Sequence, residues 1–535
     1  MENVAMPESE NTPRHLWALA LVMALGAGFR FLFIGKESLW FDEGLSVWFA
    51  QRPLVELWGQ VPGYETHPPL YYTLLKVWIS IFGDGESAVR ALSALAGLFT
   101  IPLVYAMGRI VVGGKRGVAT GLTAAALFAL APVQVLYAQE ARPYAFLVFS
   151  STLAICGALW LLANPAQARL PYFGFRGAHL PYGWQVKWAW LSLIIGTALS
   201  LWFHNMGALL AASLVLVVLP LIAMGPGGAG GLLKNAALAG AAIILFWFPF
   251  MPWFLRQSGN VRGSFWLAQG PHWISNGLEY IFLFLFPGRM FMALVLALAA
   301  AGIYTVTKDR GINMALALLG LLVLPLAMVI GVSWLVKPMF LARTLLWVSV
   351  PFYVLAGAGL AMTPDWRLKA VLSLALAGGL LYGENSYYMS YKKEPWREIT
   401  NNILAQAADE DEVLLLPNGA GLLFSYYQRG LRPKLRTFAL PQPFPALGLD
   451  RQYPTGNMAQ PALDAKDAQW LESFSCQTHD IWVVMRLPGL FDPGSMIVNT
   501  LSASCRLQAA GAHSVLHYMR FSAKEAVDGG VPKGD

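Results

Sequence analysis

The chain has 535 residues, of which 56% are hydrophobic and only 13% are charged, whereas about 25% of residues carry a charge in a typical soluble protein. A mean hydropathy of +0.52 and repeated uncharged runs of about 20 residues predict a polytopic membrane protein and exclude a disordered chain. Three cysteines are too few for a disulfide scaffold, and the net charge of +7 fits the cytoplasmic loops of a membrane protein rather than nucleic-acid binding.

Apolar runs long enough to cross a bilayer recur along the first 390 residues, and each crossing takes roughly 20 residues. We count eleven, at about 16–34, 88–108, 117–137, 143–163, 187–203, 206–224, 235–255, 290–307, 312–335, 340–362 and 370–388. An odd count puts the termini on opposite sides, and the excess of Lys and Arg in alternate loops favours a cytoplasmic N-terminus. Two shorter segments, 69–83 and about 278–287, fit re-entrant or interfacial helices, with a short tilted span as the alternative for the first.

The composition changes after Tyr391, where charge and proline become more frequent. Short helical and strand patterns then alternate, at 396–407, 412–416, 421–429, 481–485 and 514–521. We therefore predict a transmembrane domain, 1–391, that includes a first outside loop at 35–87, followed by a small extracytoplasmic α/β domain, 392–535. We expect the second domain to recognise an acceptor or to cover the active site. Its Cys476 and Cys505 can pair in an oxidising compartment, but the sequence leaves that pairing open.

Acidic residues gather in the loops that we place outside, and the first motif that carries them is WFDEG at 40–44. A partly desolvated carboxylate at the membrane interface can act as a general base toward a hydroxyl or an amine. Asp42 and its neighbour Glu43 are therefore candidate catalytic residues. The alternative is that one of them caps the helix that follows.

The second motif, ETHPPLYY at 65–72, opens the short aromatic segment. Glu65 and His67 have the chemistry to ligate a divalent cation, and His67 has the chemistry to bind phosphate oxygens. The alternative is that two successive prolines only fix the start of the following helix.

The third motif, QEARPY at 139–144, follows the third predicted span. Glu140 and Arg142 suit an anionic lipid headgroup and its metal ion, with the arginine making bidentate contacts to phosphate. The alternative is that the two residues form an ion pair with each other and stabilise the turn. Lys337 and Arg343, in the later motif KPMFLAR, also suit a phosphate in the headgroup region, although membrane-anchoring side chains would look the same.

The order of these motifs and their common side resemble the membrane-embedded GT-C glycosyltransferases, over roughly residues 15–390. The closest likeness is to the bacterial group similar to lipid A aminoarabinose transferase and to protein O-mannosyltransferases. The resemblance implies a polytopic all-α membrane fold of GT-C type. It also implies an enzyme of the bacterial inner membrane that moves a sugar from a polyprenyl-phosphate donor to a lipid, glycan or protein acceptor at the periplasmic face.

Site residues follow from the resemblance position by position. The family's general base falls on Asp42, with Glu43 beside it, and a second outer acid falls on Glu140. A carboxylate and a cation fall near Glu65 and His67, but the aminoarabinose transferase has a lysine where this chain has the histidine. We expect inversion at the anomeric carbon, with charge on the departing phosphate stabilised by Arg142, Arg343 or a divalent metal ion.

Two other classes of protein stay open. A lipid or sugar transporter or flippase would also have many spans, but we find no internal repeat and the acids gather in loops rather than at the membrane midplane. A non-catalytic partner in envelope polysaccharide assembly is the second alternative, and the density of outer acids argues against it.

Overall fold

The computed structural model describes residues 12–170, 183–225, 230–263, 289–336 and 339–524. The described residues form two compact units. Unit 1 takes them from Met1–Ile34, His67–Leu255 and Leu267–Tyr391, and unit 2 from Gly35–Thr66, Arg256–Trp266 and Lys392–Asp535. The predicted outside loop 35–87 is divided between the units, and its first part, up to Thr66, groups with the C-terminal residues.

Unit 1 is helical. Its helices are α1 (Thr12–Phe31), α4 (Leu70–Phe82), α5 (Glu86–Val111), α6 (Gly114–Ala129), α7 (Pro132–Ala138), α8 (Tyr144–Ala163), α9 (Gly183–Phe203), α10 (Gly207–Ser213), α11 (Leu219–Ala223), α12 (Gly230–Trp247), the start of α13 (Met251–Gly263), α14 (Arg289–Arg310), α15 (Ile312–Leu335), α16 (Ser349–Met362) and α17 (Trp366–Ser390). A π-helical turn, Leu214–Val218, joins α10 to α11, and a 3₁₀ segment, Ala342–Val348, leads into α16.

Each of the eleven predicted spans coincides with helix, but the count of eleven crossings is not confirmed. Among the described residues, seven helices are long and apolar enough to cross a membrane, or eight if the bent pair α6–α7 is one span. The predicted segment at 69–83 forms the shorter apolar helix α4, and the predicted segment at 278–287 lies outside the described residues. The chain is a multi-pass membrane protein.

The third predicted span is broken by a proline. α6 and α7 meet at an angle of 58°, and Pro132 is the first residue of α7. Proline lacks an N–H and its ring excludes the preceding turn, so a helix starts at such a residue more readily than it passes through it. α7 therefore ends at Ala138, directly before the QEARPY motif.

Small residues bring the helices of unit 1 close together. A Cβ at Gly108 of α5 would lie 2.5 Å from the Cα of Gly121 in α6, and a Cβ at Gly302 of α14 would lie 1.8 Å from the carbonyl oxygen of Leu355 in α16. Such contacts exclude any larger side chain, and close backbone approach is how helices associate where lipid removes the hydrophobic driving force.

Unit 2 contains one mixed sheet and several short helices. Its elements are α2 (Phe41–Gln51), α3 (Leu54–Gly59), α18 (Trp396–Gln406), β1 (Glu412–Leu416), α19 (Ala420–Gln428), β2 (Arg436–Ala439), α20 (Ala468–Leu471), β3 (Ile481–Arg486), α21 (Pro488–Phe491), α22 (Met496–Ser504), β4 (Cys505–His513) and β5 (Leu516–Ala523). The strand order is β2-β1-β3-β5-β4, with β1 parallel to both of its neighbours and β5 antiparallel to both β3 and β4.

The sheet differs from the sequence pattern at its antiparallel edge. The pattern at 514–521 predicts a single strand, whereas the structure has a hairpin, with His513 at the end of β4 and His517 in β5. A disulfide joins Cys476, before β3, to Cys505 at the start of β4, with the two Cα atoms 5.6 Å apart. The bond links the residues before β3 to the start of the hairpin formed by β4 and β5.

Candidate functional site

The QEARPY motif forms a tight, buried turn between α7 and α8. The N–H of Arg142 donates to the carbonyl oxygen of Glu140 at 2.8 Å, and Pro143 then precedes the first residue of α8. Glu140 and Arg142 are only 2% and 4% exposed, so the sequence has placed an acid and a base in the interior of the helical unit. Charged groups at such a position are costly, which makes a functional role the first interpretation.

The side chains of Arg142, Arg343 and His204 lie close to the ring of Tyr144 in unit 1, and His67 contacts two of them. The guanidinium carbon of Arg142 lies 5.9 Å from the ring centre of Tyr144, and that of Arg343 lies 5.7 Å from the same ring. Nη2 of Arg142 lies 3.3 Å from Nε2 of His67, whose ring centre is 5.0 Å from that of His204. We call these five residues the basic cluster. It brings together three of the four residues that we predicted to bind donor phosphate, and the fourth, Lys337, lies outside the described residues.

Hydrogen bonds define which histidine nitrogens carry protons in this cluster. Arginine is a donor only, so Nε2 of His67 accepts from Arg142. Nδ1 of His204 accepts the N–H of Met206 at 3.1 Å. Burial lowers the pKa of His204 well below its ordinary value, and the neighbouring His67, Arg142 and Arg343 lower it further. His204 is therefore neutral at pH 7, and its remaining proton lies on Nε2, where it can be donated to an anion.

Gln139 fixes the turn that carries Glu140. Its side-chain amide donates to the carbonyl oxygens of Phe29 at 3.0 Å and Leu32 at 2.9 Å, at the end of α1, where carbonyls lack partners within the helix. Its amide oxygen accepts the hydroxyl of Tyr387 at 2.7 Å. One side chain thus connects α7, α1 and α17 immediately before Glu140.

Asp42 and Glu43 occupy the first turn of α2 in unit 2, with different surroundings. Asp42 is half-buried, and its carbonyl oxygen accepts the hydroxyl of Ser46 at 3.0 Å. Glu43 is fully buried; Oε2 accepts the N–H of Trp40 at 3.2 Å and lies 3.2 Å from Nζ of Lys393. Glu43 thus caps the helix, as the alternative interpretation allowed for this pair.

Glu65 is also held within unit 2. It is 4% exposed, its carboxylate accepts from Nδ2 of Asn457 at 3.4 Å, and its carbonyl oxygen accepts from Nε2 of Gln257 at 2.7 Å. The metal ion predicted for Glu65 and His67 stays a prediction; the donors recorded at these side chains are Nδ2 of Asn457 for Glu65 and Nη2 of Arg142 for His67. Among the described residues, no group of three or more His, Cys, Asp or Glu side chains is placed to hold a metal ion.

Several of these residues escaped the sequence analysis. His204 directly follows an apolar run, and a lone histidine there gave no signal beyond its polarity. Lys393 belongs to the KKEPW segment after the last predicted span, a position typical of a membrane anchor. Gln139 was part of a motif, but only the geometry shows that it contacts the end of α1.

Comparisons with known proteins fit this geometry. Residues 66–225, which include His67, Glu140, Arg142, Tyr144 and His204, match the family model for dolichyl-phosphate-mannose-protein mannosyltransferase. No curated protein matches the chain by sequence.

Solved structures cover nearly the whole chain. The apo structure of ArnT from Cupriavidus metallidurans has a TM-score of 0.59 at 14% identity and covers 96% of this chain and 98% of that chain. The same enzyme bound to undecaprenyl phosphate has a TM-score of 0.56 at 15% identity, covering 94% and 97%.

A third similar structure is archaeal. The oligosaccharyltransferase AglB from Archaeoglobus fulgidus, in complex with an inhibitory peptide and a dolichol-phosphate, has a TM-score of 0.54 at 13% identity and covers 97% of this chain and 75% of that chain. The resemblance to GT-C membrane glycosyltransferases that the motifs indicated is thus confirmed: the chain has their fold, and its residues 66–225 match a mannosyltransferase family of that type.

Proposed function

We propose that the protein is a glycosyltransferase that takes a sugar from a polyprenyl-phosphate donor and transfers it to a lipid, glycan or protein acceptor. The observation that carries the proposal is the basic cluster, in which Arg142 and Arg343 flank Tyr144 beside His67 and His204. Two guanidinium groups close to one ring suit an anionic group, because arginine makes strong, charge-assisted hydrogen bonds to phosphate oxygens. The undecaprenyl phosphate of the ArnT structure and the dolichol-phosphate of the AglB structure supply an anion of this class in proteins of the same fold.

The basic cluster binds the donor phosphate by complementary hydrogen bonds. Arginine presents a planar fork of donors that matches phosphate oxygens, and such charge-assisted bonds are shorter and stronger than neutral ones. Nε2–H of His204 adds a neutral donor. As the bond between sugar and phosphate breaks, these groups stabilise the charge that grows on the phosphate, so no acid has to protonate the leaving group.

Asp42 is the proposed general base. Its carboxylate takes the proton from an acceptor hydroxyl or amine while the lone pair of that oxygen or nitrogen forms a bond to the anomeric carbon. The bond from the anomeric carbon to the phosphate oxygen breaks, and its electron pair leaves with the polyprenyl phosphate. Attack opposite the leaving group inverts the anomeric configuration. Glu140 is the second acid of the proposed site, and no step of this mechanism needs a metal ion.

The proposed location is a bacterial inner membrane, with the N-terminus in the cytoplasm and the C-terminal part of unit 2 in the periplasm. The disulfide between Cys476 and Cys505 supports this side, because disulfides persist in oxidising compartments. The distribution of basic residues between successive spans favours the same orientation.

The experiment is a transfer assay with the purified protein in detergent and a panel of radiolabelled donors, comprising polyprenyl-phosphate mannose, polyprenyl-phosphate aminoarabinose and the matching nucleotide sugars. The wild type should consume a lipid-linked donor and none of the nucleotide sugars. Asp42→Asn should abolish transfer and still bind the donor. Asp450→Asn, at an exposed position of unit 2, is the matched control and should transfer at the wild-type rate.

Two outcomes would contradict the proposal. Turnover retained by Asp42→Asn would remove the base assignment. A well-folded wild type that consumes no lipid-linked sugar with lipid, glycan and peptide acceptors present would favour a transporter or an assembly partner instead.

A further inference from the structure

The segment that leads into Asp42 is held at successive residues by the C-terminal part of unit 2. Three hydrogen bonds to distant residues are Ser38 Oγ to the Glu394 carbonyl oxygen at 2.6 Å, Leu39 N–H to the Tyr427 hydroxyl at 2.6 Å and Phe41 N–H to Glu394 Oε2 at 3.1 Å. A local bond runs from Trp40 N–H to Glu43 Oε2 at 3.2 Å. The partners at Ser38, Leu39 and Phe41 come from residues more than 350 positions away. The conformation of the turn before Asp42 is therefore imposed by tertiary contacts.

Glu394 is the centre of these contacts. Oε2 accepts from the backbone of Phe41 and from Nε1 of Trp396, the latter at 2.8 Å, while Oε1 accepts from Nε of Arg486 at 2.8 Å. The same guanidinium lies 4.5 Å from the ring centre of Phe41. Phe41, the residue before Asp42, is thus fixed through both its backbone and its side chain.

Lys393 completes the arrangement from the other side of Asp42. Its Nζ lies 3.2 Å from Oε2 of Glu43, and the two side chains are only 3% and 0% exposed. A buried pair of this kind is held firmly, because either charge alone would be desolvated without compensation. The adjacent Lys392 contacts Glu37 at 3.0 Å, but those side chains are 50% and 27% exposed, and exposed pairs contribute little.

The turn before Asp42 packs at the carboxyl ends of β1 and β3, an edge of the sheet where ligands commonly bind. β1 lies between β2 and β3 and is parallel to both. At their carboxyl ends, the chain runs from β1 toward one side of the sheet and from β3 toward the other. Parallel sheets commonly bind ligands at the point where these connections diverge. Here Gly419, just after β1, packs so closely on Phe41 that a Cβ would lie 2.7 Å from Cζ of the ring. Arg486 is the last residue of β3. The start of α2 occupies the position that a ligand takes in such sheets.

We infer that Lys393, Glu394 and Arg486 are positioning residues for Asp42, and that the C-terminal sheet holds the catalytic turn as its ligand. The inference rests on the proposed role of Asp42 as the base. It goes beyond acceptor recognition or a lid, because the C-terminal residues then determine turnover itself.

The first test compares Lys393→Met with Lys392→Met in the full-length protein. A misplacement of about 1 Å can cost about 100-fold in rate, so Lys393→Met should lower kcat by about 10- to 100-fold per folded molecule and leave the donor KM within about threefold. Lys393→Arg, which keeps the cation, should recover most of kcat, and Lys392→Met should match the wild type. A purely structural role would lower the amount of folded protein and leave kcat per folded molecule unchanged.

A second pair of variants keeps the test decisive if Lys393→Met does not fold. Arg486→Met removes the cation that contacts Glu394, whose carboxylate keeps the N–H of Phe41 and Nε1–H of Trp396 as donors. Arg520→Met removes the arginine that contacts Asp480, just before the opposite end of β3, at 2.6 Å. Only Arg486→Met should lower kcat. Only Arg486→Met should also speed amide hydrogen exchange in residues 37–46, a measurement that does not depend on the reaction.

The outcomes separate this inference from the proposed function. If Asp42→Asn is inactive while folded Lys393→Met and Arg486→Met show wild-type kcat and exchange, the positioning role is overturned and the base assignment stands. If Asp42→Asn turns over normally, the base assignment fails. Faster amide exchange at 37–46 in Arg486→Met would then show that the C-terminal residues stabilise this segment without affecting catalysis, which also overturns the inference.

Discussion

Arg142 donates from Nη2 to Nε2 of His67 across 3.3 Å, and this contact joins two motifs that are 75 residues apart in the chain. The bond holds the guanidinium of Arg142 against the imidazole of His67, whose Nε2 is the acceptor. The cation at this point of the basic cluster is therefore Arg142, while His67 orients it.

The first prediction concerns that arginine. Arg142→Met should raise the donor KM by about 10- to 100-fold, because a hydrogen bond to a charged group contributes about 1.5–3 kcal/mol. Arg109→Met is the matched control, since Arg109 also lies 5.9 Å from a tyrosine ring, that of Tyr105, in the same unit. Donor titrations of both variants check this, and an unchanged KM for Arg142→Met would remove the arginine from the phosphate site.

The second prediction concerns pH. Because the pKa of His204 is lowered in the folded protein, the unfolded chain binds a proton below about pH 6.5 that the folded protein does not bind. Stability should therefore fall as the pH decreases from 7.5 to 5.5, and His204→Gln should remove part of that fall. The apparent unfolding temperatures of wild type and variant at the two pH values measure this loss of stability, and His513→Gln, at an exposed position, is the control. An equal fall in His204→Gln and the wild type would contradict the assignment.

Some of the site could be predicted because a membrane restricts where charged residues lie. Arg142 and Arg343 are polar residues beside apolar runs, and the sequence predicts that both lie on the same side of the membrane. The structure brings both to one tyrosine. Only the geometry shows that Tyr144 is the shared ring, since an aromatic residue at the start of a span is common.

Other features could not be predicted because no local pattern encodes them. Lys393 and Glu43 pair across 350 positions, and a lysine after a span looks like an anchor until packing shows its partner. The count of eleven crossings is not confirmed for a related reason. The runs at 117–137 and 206–224 are continuous in hydropathy, but the first is bent by 58° before Pro132 and the second forms the shorter apolar helix Gly207–Ala223.

The third prediction concerns Gln139. Gln139→Leu should lower the apparent unfolding temperature, because it removes the donor that contacts the buried carbonyl oxygen of Arg30 at 3.2 Å, and losing a partner of a buried polar group costs about 1–3 kcal/mol. Gln406→Leu, at the exposed end of α18, removes an amide that contacts only the preceding turn and should have little effect. If the two variants have the same apparent unfolding temperature, Gln139 does not stabilise the turn before Glu140.

The last prediction concerns the disulfide of unit 2. Cys476→Ser should destabilise the sheet, because the bond closes a loop with a sequence separation of 29, and closing a loop of that size contributes about 3.6 kcal/mol. Cys156→Ser, which changes the buried free thiol of α8, should leave the bond and the sheet intact. Hydrogen exchange of β3 and β5 in the two variants measures the effect directly. Because β3 ends at Arg486, which contacts Glu394, a loosened sheet should also loosen the turn before Asp42 and lower kcat in Cys476→Ser alone. Faster exchange in β3 with unchanged kcat would show that the disulfide stabilises the sheet independently of the turn.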